Sequence, residues 1–259
     1  MDSIEYADSH CHLNYPGLVE IQDDVITRMH KNNIKYALNV CTKLEEFDKI
    51  YETVSQHDFL YASVGIHPDT TKNIEATVKK LCEIGNKKKV VAIGETGLDY
   101  FRKVGENLDW QRERFKIHIR AARELKKPLI IHMREATEDT LKILKEEKAV
   151  DCGGVMHCFT ESLEVAKRAI DLNFLISISG IVTFKKAEQV QKVAANLPIE
   201  SLMVETDSPF LAPVPYRGKL NEPSYVSRVV EKISNLRGES KQFIADRTLR
   251  NFKQFVKIS

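Results

Sequence analysis

No charge of one sign dominates this chain. Lys and Arg total 39 against 37 Asp and Glu, a net charge of +2 over 259 residues. The strongly basic footprint of a nucleic-acid packaging protein is therefore missing, and any nucleic-acid contact must be local. Cysteine is scarce: Cys11, Cys41, Cys82, Cys152 and Cys158 are odd in number and show no CxxC spacing. That excludes a disulfide framework or a structural zinc knot and implies reduced thiols in a cytoplasm. No uninterrupted apolar run approaches membrane-spanning length, and Met1-Asp2-Ser3-Ile4-Glu5 offers neither a basic leader nor an apolar core. A cytoplasmic protein without membrane association is expected. Low-complexity linkers, composition breaks and solenoid-length repeats are also missing, so residues 1–259 read as a single domain.

Short apolar runs alternate with longer segments of helical period, the pattern of repeated βα units and a parallel sheet. Eight strands are predicted: Ile4–Asp8, Lys35–Val40, Leu60–Val64, Val90–Ile93, Leu129–Ile131, Gly154–Met156, Leu175–Ile178 and Leu202–Val204. Helices are predicted at 20–32, 44–56, 72–84, 108–126, 136–147, 162–171, 185–196, 224–237 and 239–256. In the fourth of these, Trp110, Phe115, Ile117, Ile119, Ala122 and Leu125 form an apolar stripe, and Pro128 stops the helix before the next strand. The Pro-rich stretch 209–223 is the one long irregular connection and follows the last strand.

Histidines and carboxylates recur directly after these apolar runs: His10 and His12, Glu95, His132, His157 and Asp207. Groups so far apart in sequence meet only if their strands share one end, which an α/β (β/α)8 barrel provides. Three kinds of metal ligand would then share a pocket, as in a metal-dependent hydrolase.

Each element has a functional and a bland reading. In Asp8-Ser9-His10-Cys11-His12, extended backbone sends both imidazoles to one side and Cys11 to the other; the alternative is two exposed loop histidines. Glu95, between Gly94 and Gly97, has two oxygens with which to bridge two cations, or is a solvated turn carboxylate. His132 and His157 end successive strands and together make a second metal seat, although a single such histidine is more often a core residue. Period two directs Glu205 and Asp207 to one face. Asp207 would hold a metal and accept a proton, and Glu205 would support a ligand or take part in proton transfer. Without a cation, so many clustered acids would repel one another. Arg134, Arg217 and Lys219 suit an anionic substrate, or are surface ion pairs. His67 either touches substrate or makes a structural hydrogen bond. Tyr100, Phe101 and Phe159 are candidates for stacking on a base.

The chain resembles the TatD family of metal-dependent deoxyribonucleases, among the amidohydrolase-like barrels. The resemblance runs through Asp8-Ser9-His10-Cys11-His12-Leu13, Gly65-Ile66-His67-Pro68, Gly94-Glu95-Thr96-Gly97-Leu98-Asp99, Ile131-His132-Met133-Arg134, His157-Cys158-Phe159 and Glu205-Thr206-Asp207-Ser208-Pro209, then Arg217-Gly218-Lys219 and Asn221-Glu222-Pro223. It implies a TIM barrel with two divalent cations (Mg, Mn or Zn). His10, His12 and Asp207 would hold one, His132 and His157 the other, and Glu95 both. It also implies DNA as substrate, cleaved at phosphodiester bonds and often from an end; no stable protein partner is implied. Thr160-Glu161-Ser162 and Asp69 depart from the family pattern near the mouth. The rival reading is an amide or ester hydrolase acting on a small metabolite or an aminoacyl-RNA linkage, because an activated water attacks a carbonyl as well.

Overall fold

All eight apolar runs become parallel strands, and their order in the sheet is their order in the chain. The computed structural model describes residues 4–71, 75–103 and 105–258. Its strands are β1 (Tyr6–Cys11), β2 (Ile34–Asn39), β3 (Leu60–Val64), β4 (Val90–Asp99), β5 (Leu129–Arg134), β6 (Gly154–Met156), β7 (Phe174–Ile178) and β8 (Leu202–Val204). Between and after them run α1 (Gln22–Lys31), α2 (Phe47–Ser55), α3 (Val78–Gly85), α4 (Asp109–Leu125), α5 (Thr137–Glu146), α6 (Leu163–Asp171), α7 (Glu188–Asn196), α8 (Val226–Arg237) and α9 (Lys241–Val256). The predicted helix at 72–84 begins only at Val78, where the Thr77 hydroxyl caps it by accepting from Lys80 N–H; positions 72–74 of that expectation lie outside the described residues.

This is a (β/α)8 barrel, with β8 returning beside β1 through a bridge between Cys11 and Ser208. Backbone bonds from Asp207 N–H to His10 O (2.9 Å) and from His12 N–H to Ser208 O (2.8 Å) hold that seam. A buried side chain reinforces it. Asp8 accepts from Thr206 N–H (2.9 Å), from the Thr206 hydroxyl (2.6 Å) and from His10 N–H (3.2 Å). Burial nonetheless pushes the Asp8 carboxyl up to about 8 against those three donors.

Period two sends Leu38, Ala92, Ile130, Val155 and Met203 into the barrel. They pack with Phe252, Phe255 and Val256 of α9, which plugs the end where the strands begin, and Asn251 anchors that helix by donating to Ile199 O and Leu202 O (2.7 Å each). Access is left to the other end, where the strands finish.

Three strands run past their expected ends in a way that shapes that end; β5, expected to stop at Ile131, continues to Arg134 and carries His132 within it. The run expected to stop at Ile93 continues as β4 to Asp99, with a register shift against β5 between Ile93 and Thr96. The glycines that resemble turn signals serve close approach instead. A Cβ on Gly97, at φ +138, would stand 2.0 Å from His132 O, and one on Gly94, at φ +147, 2.7 Å from Ile130 O. β1 likewise starts later than Ile4 and runs past Asp8 to Cys11, so His10 lies within the strand.

Candidate metal centre

Glu95 lies at the middle of the open end, buried, with its two oxygens facing two groups of imidazoles. Oε2 is 3.3 Å from His10 Nε2 and 3.9 Å from His12 Nε2. Oε1 is 2.8 Å from His157 Nε2, 3.2 Å from His132 Nδ1 and 3.3 Å from His67 Nε2. Asp207 joins the first group, with Oδ1 3.5 Å from His12 Nε2 and 3.8 Å from His10 Nε2. The backbone arranges this convergence. His10 and His12, two apart, bring their Nε2 atoms to 3.2 Å, while Cys11 turns away to Leu38 O.

The second partners of the rings decide what the inner nitrogens offer. His12 Nδ1 donates to Val40 O (3.1 Å), so its inward Nε2 carries a lone pair. His157 Nδ1 donates to Glu205 Oε1 (3.3 Å), and His132 Nε2 donates to Asp99 Oδ2 (2.9 Å). Imidazoles held from outside by a carbonyl or carboxylate are the usual arrangement around a metal. His67 is the opposite case. Its Nδ1 accepts from Asp69 N–H (3.0 Å), so the neutral ring has its proton on Nε2 and donates toward Glu95 and His132 rather than ligating. His10 is the exception among the inner rings, because its buried Nδ1 lacks a partner.

This donor set fits divalent cations. Two ligands about 2.1 Å from one tetrahedral ion stand about 3.4 Å apart, close to the observed spacing of the His10 and His12 nitrogens. A lone pair on His157 Nε2 facing a carboxylate oxygen at 2.8 Å requires a positive charge between them. In the metal-free protein a proton supplies it: burial alone would lower the His157 pKa, but Glu95 and Glu205 raise it well above the ordinary range. Burial likewise opposes ionisation of Glu95, yet His157, His67 and His10 hold it well below the carboxylate norm. Asp207 stays low against burial through His12, His10 and His157. Burial, with Asp207 and Glu205 next, pushes the nearby Cys158 thiol well up, so it remains protonated.

Glu205 and Asp207 do not share a face as period two would have it. β8 ends at Val204 and Asp207 adopts a left-handed φ of +55, so the three residues 205–207 reach three places. Glu205 holds His157 and accepts from Cys158 N–H (2.8 Å), Thr206 binds Asp8, and Asp207 meets His10 and His12.

The centre opens into a cavity of about 700 Å³ whose lining includes Tyr15, Lys43, His67, Asp69, Arg134 and Phe210. Arg134 lies over the Phe101 ring at 3.6 Å. Arg217 and Lys219 do not line it; both are exposed, and the Arg217 guanidinium covers the Phe184 ring at 3.8 Å. Asp69, the acid at the mouth, is 3.6 Å from Lys103, and Glu161 is not among the lining residues. Phe159 is buried, and the Tyr100 hydroxyl donates to Asp139 (2.7 Å).

Asp99 was not singled out by the sequence; its sign is the carboxylate two residues beyond Gly97, at the end of β4. Nor was the inner face of α4, where polar Gln111, Arg114 and His118 are buried beside Phe115 and Ile119. Gln111 pairs with both backbone groups of Asp99, and Arg114 donates to His67 O and Thr70 O (3.1 and 2.9 Å). His118 Nε2 accepts from Ile66 N–H (3.0 Å) while Nδ1 donates to Arg114 O (2.8 Å). The helix thus fixes the backbone on either side of His67 and beneath Asp99.

A model of the family described as TatD related DNase matches residues 7–257. The chain belongs to the TatD family. Within it, the chain is 44% identical over 254 residues to the "Uncharacterized metal-dependent hydrolase YcfH" of Escherichia coli K12, covering 97% of this chain and 95% of that one. It is 41% identical over 253 residues to YabD of Bacillus subtilis, described in the same words, covering 97% and 99%. The crystal structure of YJJV, a TatD homolog from Escherichia coli K12, superposes with a TM-score of 0.90 at 26% identity over the whole of both chains. No helix among the described residues is long and apolar enough to cross a membrane.

Proposed function

We propose that this TatD-family protein is a divalent-metal-dependent hydrolase that cleaves phosphodiester bonds of DNA, working from a strand end. The observation that carries the reading is Glu95, which turns one oxygen to His10 and His12 and the other to His132 and His157. Two cations (Mg, Mn or Zn) held by these residues and Asp207 would polarise a phosphoryl oxygen and acidify the attacking water. Asp207, kept ionised at the mouth side of the centre, would accept the proton of the attacking water. Glu205 keeps His157 oriented, and His67 Nε2–H donates into the space beside Glu95. Arg134 and Lys43 draw the phosphate backbone to the rim. Arg217 and Lys219, outside the cavity, would meet only more distant phosphates.

The test is turnover of single-stranded DNA with Mg²⁺ or Mn²⁺ by the protein and by Asp207→Asn. A loss of about 100-fold or more is expected of the variant, the scale of a lost proton acceptor. Equal turnover by both would mark a contaminant. Hydrolysis of a neutral ester or amide with intact DNA would replace the phosphodiester reading.

A further inference from the structure

Phe210 lies on the rim of the cavity with 52% of its surface exposed, and it is the only aromatic among the exposed large apolar side chains of the described residues. An isolated Leu or Val in water needs no explanation, but an aromatic ring held open beside a polar metal centre does. Its backbone is fixed on both sides. Phe210 N–H donates to Asp207 O (3.0 Å), and its carbonyl accepts from the buried amide of Asn221. The ring does not stand alone. It meets Tyr15 edge-on at 5.9 Å and 80°, and Tyr15 stacks on His12 at 4.6 Å and 17°. The Tyr15 hydroxyl is tied to Thr42 Oγ1 (2.6 Å), which fixes the middle of this aromatic file. The file runs from a candidate ligand to solvent along the β8 and β1 side of the mouth. Across the cavity Phe101 is covered by Arg134 and Arg102, at 3.6 and 4.7 Å from its ring, and that side presents guanidinium.

We propose that Phe210, backed by Tyr15, is a base-stacking subsite for the nucleotide whose phosphate sits at the metal centre. The assignment rests on the phosphodiesterase reading above and deepens it. The two walls then sort the substrate: the base goes to the aromatic side and the backbone phosphates to Arg134. Every nucleobase has a π-face, so this subsite requires an unpaired base without selecting its identity.

The test compares oligothymidylate with an oligomer of the same length built from base-free tetrahydrofuran nucleotides, assayed with Mn²⁺. Phe210→Ala should lower the ratio of kcat/KM between the two substrates by roughly 5- to 100-fold, the effect of one lost stacking contact. Phe210→Trp should restore that ratio, and as an exposed ring it reports binding rather than folding. An unchanged ratio in Phe210→Ala, whether both activities fall together or neither moves, overturns the subsite and leaves the phosphodiesterase reading standing. Failure of the unaltered protein to cleave either oligomer overturns both.

Discussion

His118→Gln should flatten the acid limb of this protein's stability. Burial on the inner face of α4, with the Arg114 charge adding to it, lowers the His118 pKa from its ordinary 6.5 to about 4 against the bond that Nδ1 donates to Arg114 O, and Nε2 is left to accept from Ile66 N–H. The unfolded chain therefore takes up this proton first. Stability present above pH 6.5 is lost as pH falls toward 4. At about 1.4 kcal/mol per pH unit, the loss from this ring is about 2 kcal/mol by pH 5 and saturates at about 3 kcal/mol below the folded value. Gln keeps an acceptor for Ile66 and a donor for Arg114 but cannot titrate. Its cost, about 1 kcal/mol from imperfect hydrogen bonds, is independent of pH. Urea unfolding of both proteins in chelator at a series of pH values from 7 to 5 gives the comparison. The gap in unfolding free energy, about 1 kcal/mol against Gln at pH 7, should shift by about 2 kcal/mol and so reverse by pH 5, since every other titrating group is common to both. Parallel curves would refute the assignment of a neutral His118 gripping the loop that carries His67.

Asp99→Ala removes the carboxylate that holds His132 from outside, and should weaken divalent-cation binding by about 10- to 100-fold in titration calorimetry; unchanged affinity would count against Asp99 as the support of a ligand. Asp8→Ala strands the Thr206 N–H and the His10 N–H in a buried seam and leaves the Thr206 hydroxyl only its Ser208 partner. It should cost about 3 kcal/mol in urea unfolding, and a loss below about 1 kcal/mol would mean that the backbone bonds alone close the barrel.

How much of this was legible depended on whether local chemistry or tertiary approach set each feature. Apolar runs bounded by polar segments announced all eight strands, and the recurrence of His10, His12, Glu95, His132, His157 and Asp207 after them anticipated the convergence that the barrel produces. β4 was misread at its end because Gly94 and Gly97 carry a turn's composition; the β5 backbone that requires them lies more than thirty residues away. Period two failed for Glu205 and Asp207 because the strand ends at Val204 and a left-handed residue follows. α4 showed an apolar stripe, but its inner face buries Gln111, Arg114 and His118, whose partners are mostly backbone groups that no side-chain pattern reveals; Arg114 also pairs with the Glu75 carboxylate (2.7 Å). Arg217 and Arg134 look alike in sequence, but the structure sets Arg134 on the cavity wall and Arg217 outside it.

Residues 205–207 give three neighbouring peptide units three unrelated tasks: one braces a histidine, one sews the seam, one sets a carboxylate beside the first pair of imidazoles. Synthesis reaches this tripeptide after every other candidate ligand has left the ribosome. A chain ending before it would lack both the Thr206 tie to Asp8 and the Asp207 carboxylate beside His10 and His12. Closure of the wall and placement of the last candidate ligand thus depend on one short stretch of backbone, and a substitution that shifts it disturbs both.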